Sequence, residues 1–77
     1  MINEFDANVF ARRLKSLREE RGMDQDALAK ASRVSKGSIA RYETGYNVPR
    51  ADIIVALARA LDCSCDVLIG VVPLAVA

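Results

Sequence analysis

Two cationic side chains, Lys36 and Arg41, share the outer face of a predicted helix over residues 36–43. Ile39 and Tyr42 lie three residues apart in that helix and are predicted to face the core. The other outward positions carry small residues and no acid, so the surface is slim. Lys36 and Arg41 can donate hydrogen bonds to O6 and N7 of guanine, Arg41 with two N–H groups at once. The pattern predicts a surface that reads bases in the major groove of DNA; an ordinary solvated helix face is the alternative.

Apolar residues recur at helical spacing along most of the chain and predict five short helices, with almost no strand signal. Asp24, Ser35 and Ser64 stand where they would cap the second, third and fifth helices. The predicted helices cover residues 7–21, 25–31, 36–43, 51–61 and a short segment that Gly70 ends. The predicted fold class is therefore all-α, a bundle of five helices.

The second predicted helix is joined to the third by only three or four residues. Helices joined so closely cannot lie antiparallel, so we expect them to cross steeply and the third helix to protrude. The inner face of the second helix is predicted to consist of Ala27, Leu28 and Ala31. Val34, just before the third helix, is expected to pack as a hydrophobic staple.

The chain has 77 residues and a net charge of only +1, so its overall charge does not indicate a nucleic-acid partner. The distribution of charge is more informative. Residues 23–50 contain five basic and three acidic side chains, whereas residues 51–77 contain one basic and three acidic side chains. The sequence predicts one domain whose basic middle can face a polyanion.

The chain contains no histidine, and its two cysteines, Cys63 and Cys65, are one residue apart. The usual zinc ligand sets cannot be completed, and a disulfide across one residue would be strained. We expect one buried thiol and one near the surface, with no assigned role, in a reducing cytoplasm. No pair of nucleophile and base is recognisable, so the sequence predicts no enzyme, no metal, no cofactor and no evident small-molecule ligand.

The most apolar stretch, residues 67–77, has about half the length that spans a bilayer and contains Pro73, so no membrane span is predicted. Residues 1–70 are predicted to form the domain, and residues 71–77 an apolar tail. Because the tail is too apolar for solvent, we expect two copies to meet through the fifth helix and the tail. The alternative is that the tail folds back on its own core.

A longer pattern of residues extends at fixed spacing from Phe10 to Gly70, about four-fifths of the chain. Its members are Arg13-Leu14-Lys15, Leu17-Arg18, Gly22, Gln25, Leu28-Ala29, Val34-Ser35, Ile39, Arg41-Tyr42-Glu43, Gly45, Pro49 and Leu57-Ala58-Arg59-Ala60-Leu61. The pattern resembles the phage repressor and Cro type of helix-turn-helix domain, the XRE family. This resemblance implies the lambda-repressor-like fold of five helices and a transcriptional regulator that binds double-stranded DNA.

The resemblance also implies roles for individual residues. The residues expected to read bases are Ser35, Lys36, Gly37, Ser38 and Arg41. The residues expected to contact phosphates are Gln25, Arg33, Thr44, Asn47 and Arg50. Arg18, late in the first helix, is expected to form a structural salt bridge with Glu43.

Two residues depart from the family pattern. Arg33 stands at a turn position that is often glycine, so a left-handed or bridging conformation is expected there. Gly37 stands where related repressors often place a base-reading side chain, so sequence preference is expected to rest on few residues. Tyr46, in the loop that follows, is expected to contact a phosphate or nothing.

The function expected from these features is repression by a homodimer on a near-palindromic operator. Two recognition helices would lie about one DNA turn apart, roughly 34 Å. The alternative is a protein-interaction module on the same fold, either antitoxin-like or a phage-encoded antagonist, in which the apolar tail docks another protein.

Overall fold

The computed structural model describes residues 5–73, and this part of the chain contains five α-helices joined by short turns and loops. They are α1 (Ala7–Glu20), α2 (Gln25–Ser32), α3 (Lys36–Glu43), α4 (Ala51–Ala60) and α5 (Cys65–Ile69). Residues 5–73 contain no strand, and the all-α prediction is confirmed, with most helix ends within one residue of those expected. Residues 74–77, the end of the predicted tail, lie outside the described residues.

Side-chain caps explain where four of the helices begin. The carboxylate of Asp24 accepts a hydrogen bond from the backbone N–H of Ala27 at 2.7 Å, which confirms the predicted cap of α2. Ser35 and Ser64 cap α3 and α5 in the same way, as predicted, and Asp6 caps α1. Each cap satisfies backbone donors that have no partner within the helix, so the short helices begin at defined residues.

A single core forms where α1 contacts α3 and α5, and where α2 and α4 close the other side. The largest fully buried side chains are Phe10, Leu14, Leu28, Ile39, Leu57, Leu61 and Leu68. Tyr42 is buried, as predicted. Its ring and that of Phe10 pack edge to face, with ring centroids 6.1 Å apart. This packing orients α3 so that its opposite face points outward.

The predicted inner face of α2 is wrong at two of three positions. Leu28 is fully buried, but Ala27 and Ala31 are exposed, and Ser32 takes the inner position one turn after Leu28. The Ser32 hydroxyl donates to the carbonyl of Leu28 at 2.7 Å and accepts from the N–H of Val34 at 3.2 Å. The buried hydroxyl of Ser32 is tolerated because both of its hydrogen bonds are made to backbone groups close by in the chain. Alanines next to an apolar residue do not by themselves show which face of a helix is buried.

The start of the tail is held by an arginine of α1. The guanidinium of Arg13 on α1 donates to the carbonyl of Val67 at 2.9 Å and to the carbonyl of Val72. Val72 packs partly against the core, whereas Val71 is exposed. The first residues of the predicted tail are therefore fixed against α1 and α5, with one valine facing outward.

Both cysteines, Cys63 and Cys65, are half-buried free thiols, so the expectation of one buried and one near-surface thiol is wrong. Burial raises the pKa of the Cys63 thiol, which the nearby Arg21 partly offsets. Among residues 5–73, no helix is both long enough and apolar enough to cross a membrane.

Candidate nucleic-acid interface

The connection between α2 and α3 is a tight turn built around Arg33. This residue has φ 61° and ψ 24°, the left-handed conformation that the departure from glycine predicted. The following residue, Val34, is buried in the core, and Ser35 then caps α3. The turn thus anchors the start of α3 by an apolar side chain and a cap, with Arg33 exposed at its outer corner.

The outer face of α3 is open among the residues described. Lys36, Gly37 and Arg41 are exposed, and Ser38 is half-buried at the flank. A Cβ added to Gly37 would meet no atom of the protein within 4 Å, so this position is bare backbone facing outward. The predicted base-reading residues therefore form one continuous surface, with no other described segment covering it.

Three of the predicted base-reading residues already have partners within the protein. The ammonium of Lys36 lies 3.4 Å from the carboxylate of Asp26 on α2, and both side chains are more than half exposed. The hydroxyls of Ser35 and Ser38 are joined at 2.9 Å. Exposed pairs of this kind are weak and exchange readily for other partners. Asp26 was missed as part of this surface because its contact depends on how α2 and α3 cross.

Arg18 holds the only acid of α3, Glu43, away from the outer face. Two nitrogens of Arg18 donate to the Glu43 carboxylate, at 2.7 and 3.0 Å, and a third donates to the carbonyl of Met23 at 2.8 Å. The Arg18 and Glu43 side chains are only 10% and 5% exposed. The hydrogen bond to Glu43 raises the pKa of Arg18, so the guanidinium keeps its charge in spite of its burial.

Gln25, predicted to contact a phosphate, belongs to the same network. Its amide nitrogen donates to the Glu43 carboxylate at 3.2 Å, and the side chain is half-buried at the start of α2. The network therefore joins α1, α2 and α3 through one carboxylate. The Gln25 amide is uncharged, and the charge of the neighbouring Glu43 carboxylate is balanced by Arg18. The remaining polar atoms of the amide can therefore face an anion without strong repulsion.

The other residues predicted to contact phosphates lie on both sides of α3. Arg33 is exposed before α3, and Thr44 is exposed at its end, where its hydroxyl donates to the carbonyl of Arg41 at 2.8 Å. Asn47 is half-buried, and Arg50 is paired with Asp52 at 3.3 Å on the surface. The loop also carries Tyr46, an exposed aromatic residue.

A cleft with a volume of about 860 Å³ lies elsewhere, between α1, α4 and α5. Its charged lining residues are Glu20, Arg21, Arg59, Asp62 and Asp66. Because these charges are mixed in sign, the cleft offers no concentrated field for an anion. Residues 5–73 also contain no group of three or more side chains that could hold a metal ion.

The chain matches the helix-turn-helix family HTH_3 over residues 14–68. It is 33% identical over 61 residues to an uncharacterised HTH-type transcriptional regulator, YazB, of Bacillus subtilis, covering 79% of this chain and 88% of YazB. The match includes all of α2, the turn and α3, so the surface described above lies within the family's common region.

Solved structures share the fold closely. The restriction-modification controller protein C.AhdI of Aeromonas hydrophila is 32% identical with a TM-score of 0.79, over 82% of this chain and 96% of that protein. The P22 c2 repressor, in complex with a synthetic operator, is 31% identical with a TM-score of 0.76, over 80% of this chain and 94% of that structure. With its five helices, its helix-turn-helix and these relatives, the chain belongs to the HTH_3 family of XRE-type, lambda-repressor-like transcriptional regulators.

Proposed function

We propose that this protein is a repressor that binds a near-palindromic DNA operator as a homodimer, in the cytoplasm and without an enzymatic step. The observation that carries the proposal is the exposed outer face of α3. Lys36 and Arg41 are accessible there, while the acid of the same helix is held by Arg18. An α-helix with small residues on its outer face fits the major groove, where each base pair presents a distinct pattern of hydrogen-bond donors and acceptors.

The two kinds of contact have different consequences. Lys36, Ser38 and Arg41, with Ser35 and Gly37 beside them, would read base edges and supply discrimination. Gln25, Arg33, Thr44, Asn47 and Arg50 would contact phosphates, which supply most of the affinity and make it fall steeply with salt. The Asp26 and Asp52 pairs, both exposed, would be exchanged for DNA contacts.

The dimer is proposed to form through α5 and the tail, with residues 1–70 as the DNA-binding domain. This proposal is supported by the exposed Val71 and by the half-buried Ile69 next to it. A twofold arrangement would present the two α3 helices to successive turns of one face of DNA.

Selection of bound sites from a random pool of duplex DNA tests the function directly. We expect enriched sites with two related half-sites, centred about one helical turn apart. Enrichment of single half-sites alone would contradict the dimer. Failure of the chain to bind any duplex at low salt would contradict the DNA-binding function and favour a protein-interaction module.

Arg41→Ala tests the assignment of base reading. We expect this change to weaken binding to the selected site by about 1–3 kcal/mol and to relax sequence preference at one position. Arg50→Ala is the matched control, because it removes the same side chain from a position predicted to contact phosphate. The control is expected to weaken selected and random duplexes equally. Equal losses on both duplexes for Arg41→Ala would show that Arg41 does not read bases.

A further inference from the structure

Tyr46 is fixed in position by the way α3 ends. The backbone N–H of Gly45 donates to the carbonyl of Tyr42 at 3.2 Å, and the N–H of Tyr46 donates to the carbonyl of Arg41 at 3.1 Å. This pair of bonds, with Gly45 at φ 77°, is the Schellman arrangement. The Cα of Tyr46 is therefore held directly beyond the last turn of α3 and does not depend on a free loop.

The side chain of Tyr46 leaves the protein surface instead of packing on it. In a Schellman end, the residue at this position frequently makes an apolar contact with the last turn of the helix. Tyr46 is 78% exposed, so most of its ring is not covered by such a contact. The Tyr46 ring therefore contributes little to the packing of the described residues, although it is large and amphipathic.

The Tyr46 ring lines a shallow groove of about 420 Å³ with Ala40, Arg41 and Thr44. These three residues lie on the outer face of α3 and at its end, so the groove continues the proposed base-reading surface. It contains one cation, one small side chain and hydroxyl groups, and none of its lining residues is acidic. This chemistry suits a sugar–phosphate strand passing beside the C-terminal end of α3.

We infer that Tyr46 is a DNA-contact residue whose hydroxyl donates a hydrogen bond to a backbone phosphate beside the base pair that Arg41 reads. The inference rests on the proposed function. A phosphate is the expected acceptor because Tyr46 lies beyond the end of α3, whereas base edges are reached from the side of the helix inserted in the groove. A phenol is neutral, so this contact adds affinity without releasing an additional counterion.

Tyr46→Phe isolates the hydroxyl, and Val48→Ala is the matched control. Val48 is 68% exposed in the same loop and has no polar group to lose. We expect Tyr46→Phe to weaken binding about three- to tenfold, equally on the selected site and on random duplex, with an unchanged dependence on salt. Val48→Ala should bind like the parent chain. An unchanged affinity for Tyr46→Phe, a loss confined to the selected site, or an equal loss for Val48→Ala would each overturn the inference.

Fluorine NMR provides a second measurement that does not depend on affinity. The chain has two tyrosines and no tryptophan, so uniform labelling with 3-fluorotyrosine should give two signals, which Tyr46→Phe assigns. We expect the Tyr46 signal to move on addition of DNA, and the signal of buried Tyr42 to stay in place. Binding of DNA with an unmoved Tyr46 signal would overturn this inference alone. Absence of all DNA binding would overturn the proposed function and the inference with it.

Discussion

At the scale of single residues, Glu43 joins two side chains from other helices near the proposed interface. Its carboxylate accepts two hydrogen bonds from Arg18 and one from Gln25. The same carboxylate on the open face of α3 would repel phosphates. Burial against Arg18 therefore has two consequences, since it ties α3 to α1 and removes the charge of an acid from the outer face.

We predict that Glu43→Ala lowers the free energy of unfolding by about 3 kcal/mol, because it leaves the guanidinium of Arg18 buried without a counterion. Urea unfolding followed by circular dichroism measures the change. Glu19→Gln, which removes an exposed acid from α1, is the control and should change stability by less than about 0.5 kcal/mol. Equal effects of the two changes would show that the Arg18 pair does not stabilise the fold.

At the scale of elements, the turn between α2 and α3 combines a strained backbone with a cation. Arg33 occupies a left-handed conformation in which an L residue is strained by about 1–2 kcal/mol. The side chain at this corner is exposed and has no structural role visible in the described residues. Among residues 5–73 the Arg33 side chain forms no hydrogen bond or ion pair that would offset this strain, which is consistent with the proposed phosphate contact.

Arg33→Gly is predicted to change stability and DNA affinity in opposite directions. Relief of strain, less the greater entropy of glycine in the unfolded chain, should raise the free energy of unfolding by about 0.5–1 kcal/mol. Loss of the cation should weaken binding to all duplexes and reduce the slope of log affinity against log salt by about one. Arg33→Lys is the control and should leave both measurements nearly unchanged. Unweakened DNA binding by Arg33→Gly would remove Arg33 from the phosphate contacts.

At the scale of the whole molecule, the backbone after α5 is fixed by hydrogen bonds, while one of its apolar side chains is exposed to solvent. Arg13 binds the carbonyls of Val67 and Val72, so the backbone leaves α5 in a defined direction. Val71 is 63% exposed at this point. A defined backbone with an outward apolar side chain is the geometry that a twofold contact requires.

Val71→Asp is predicted to weaken the dimer by roughly tenfold or more, because a carboxylate would have to be desolvated in the contact. Sedimentation velocity over a range of protein concentrations measures the dimer dissociation constant. Val55→Asp is the control, since Val55 is exposed on α4 outside the proposed contact. The proposed interface would be contradicted if the unsubstituted protein were monomeric, or if Val71→Asp left the dimer dissociation constant unchanged.

Local rules were enough to predict most of the fold. The apolar spacing and the caps Asp24, Ser35 and Ser64 determine where the helices begin, because each cap bonds to a backbone group of its own chain segment. A left-handed or bridging conformation at Arg33 was likewise expected, because the family pattern often has glycine at this turn position. The residues proposed to read bases were found from their positions on α3 and from the family pattern, and their contacts with DNA stay a prediction.

Apart from the Arg18–Glu43 pair, which the family resemblance implied, only the tertiary structure decided which side chains meet across elements. The burial of Ser32 in place of alanine, the pair of Lys36 with Asp26 and the clamp of Arg13 on the tail depend on how helices are rotated and crossed. A sequence pattern fixes the spacing of residues along one helix but not the angle between two helices. For this reason the sequence alone determined the helices and their likeness to a DNA-binding family, whereas the packed fold decided that Lys36 on the surface of α3 pairs with Asp26 of α2.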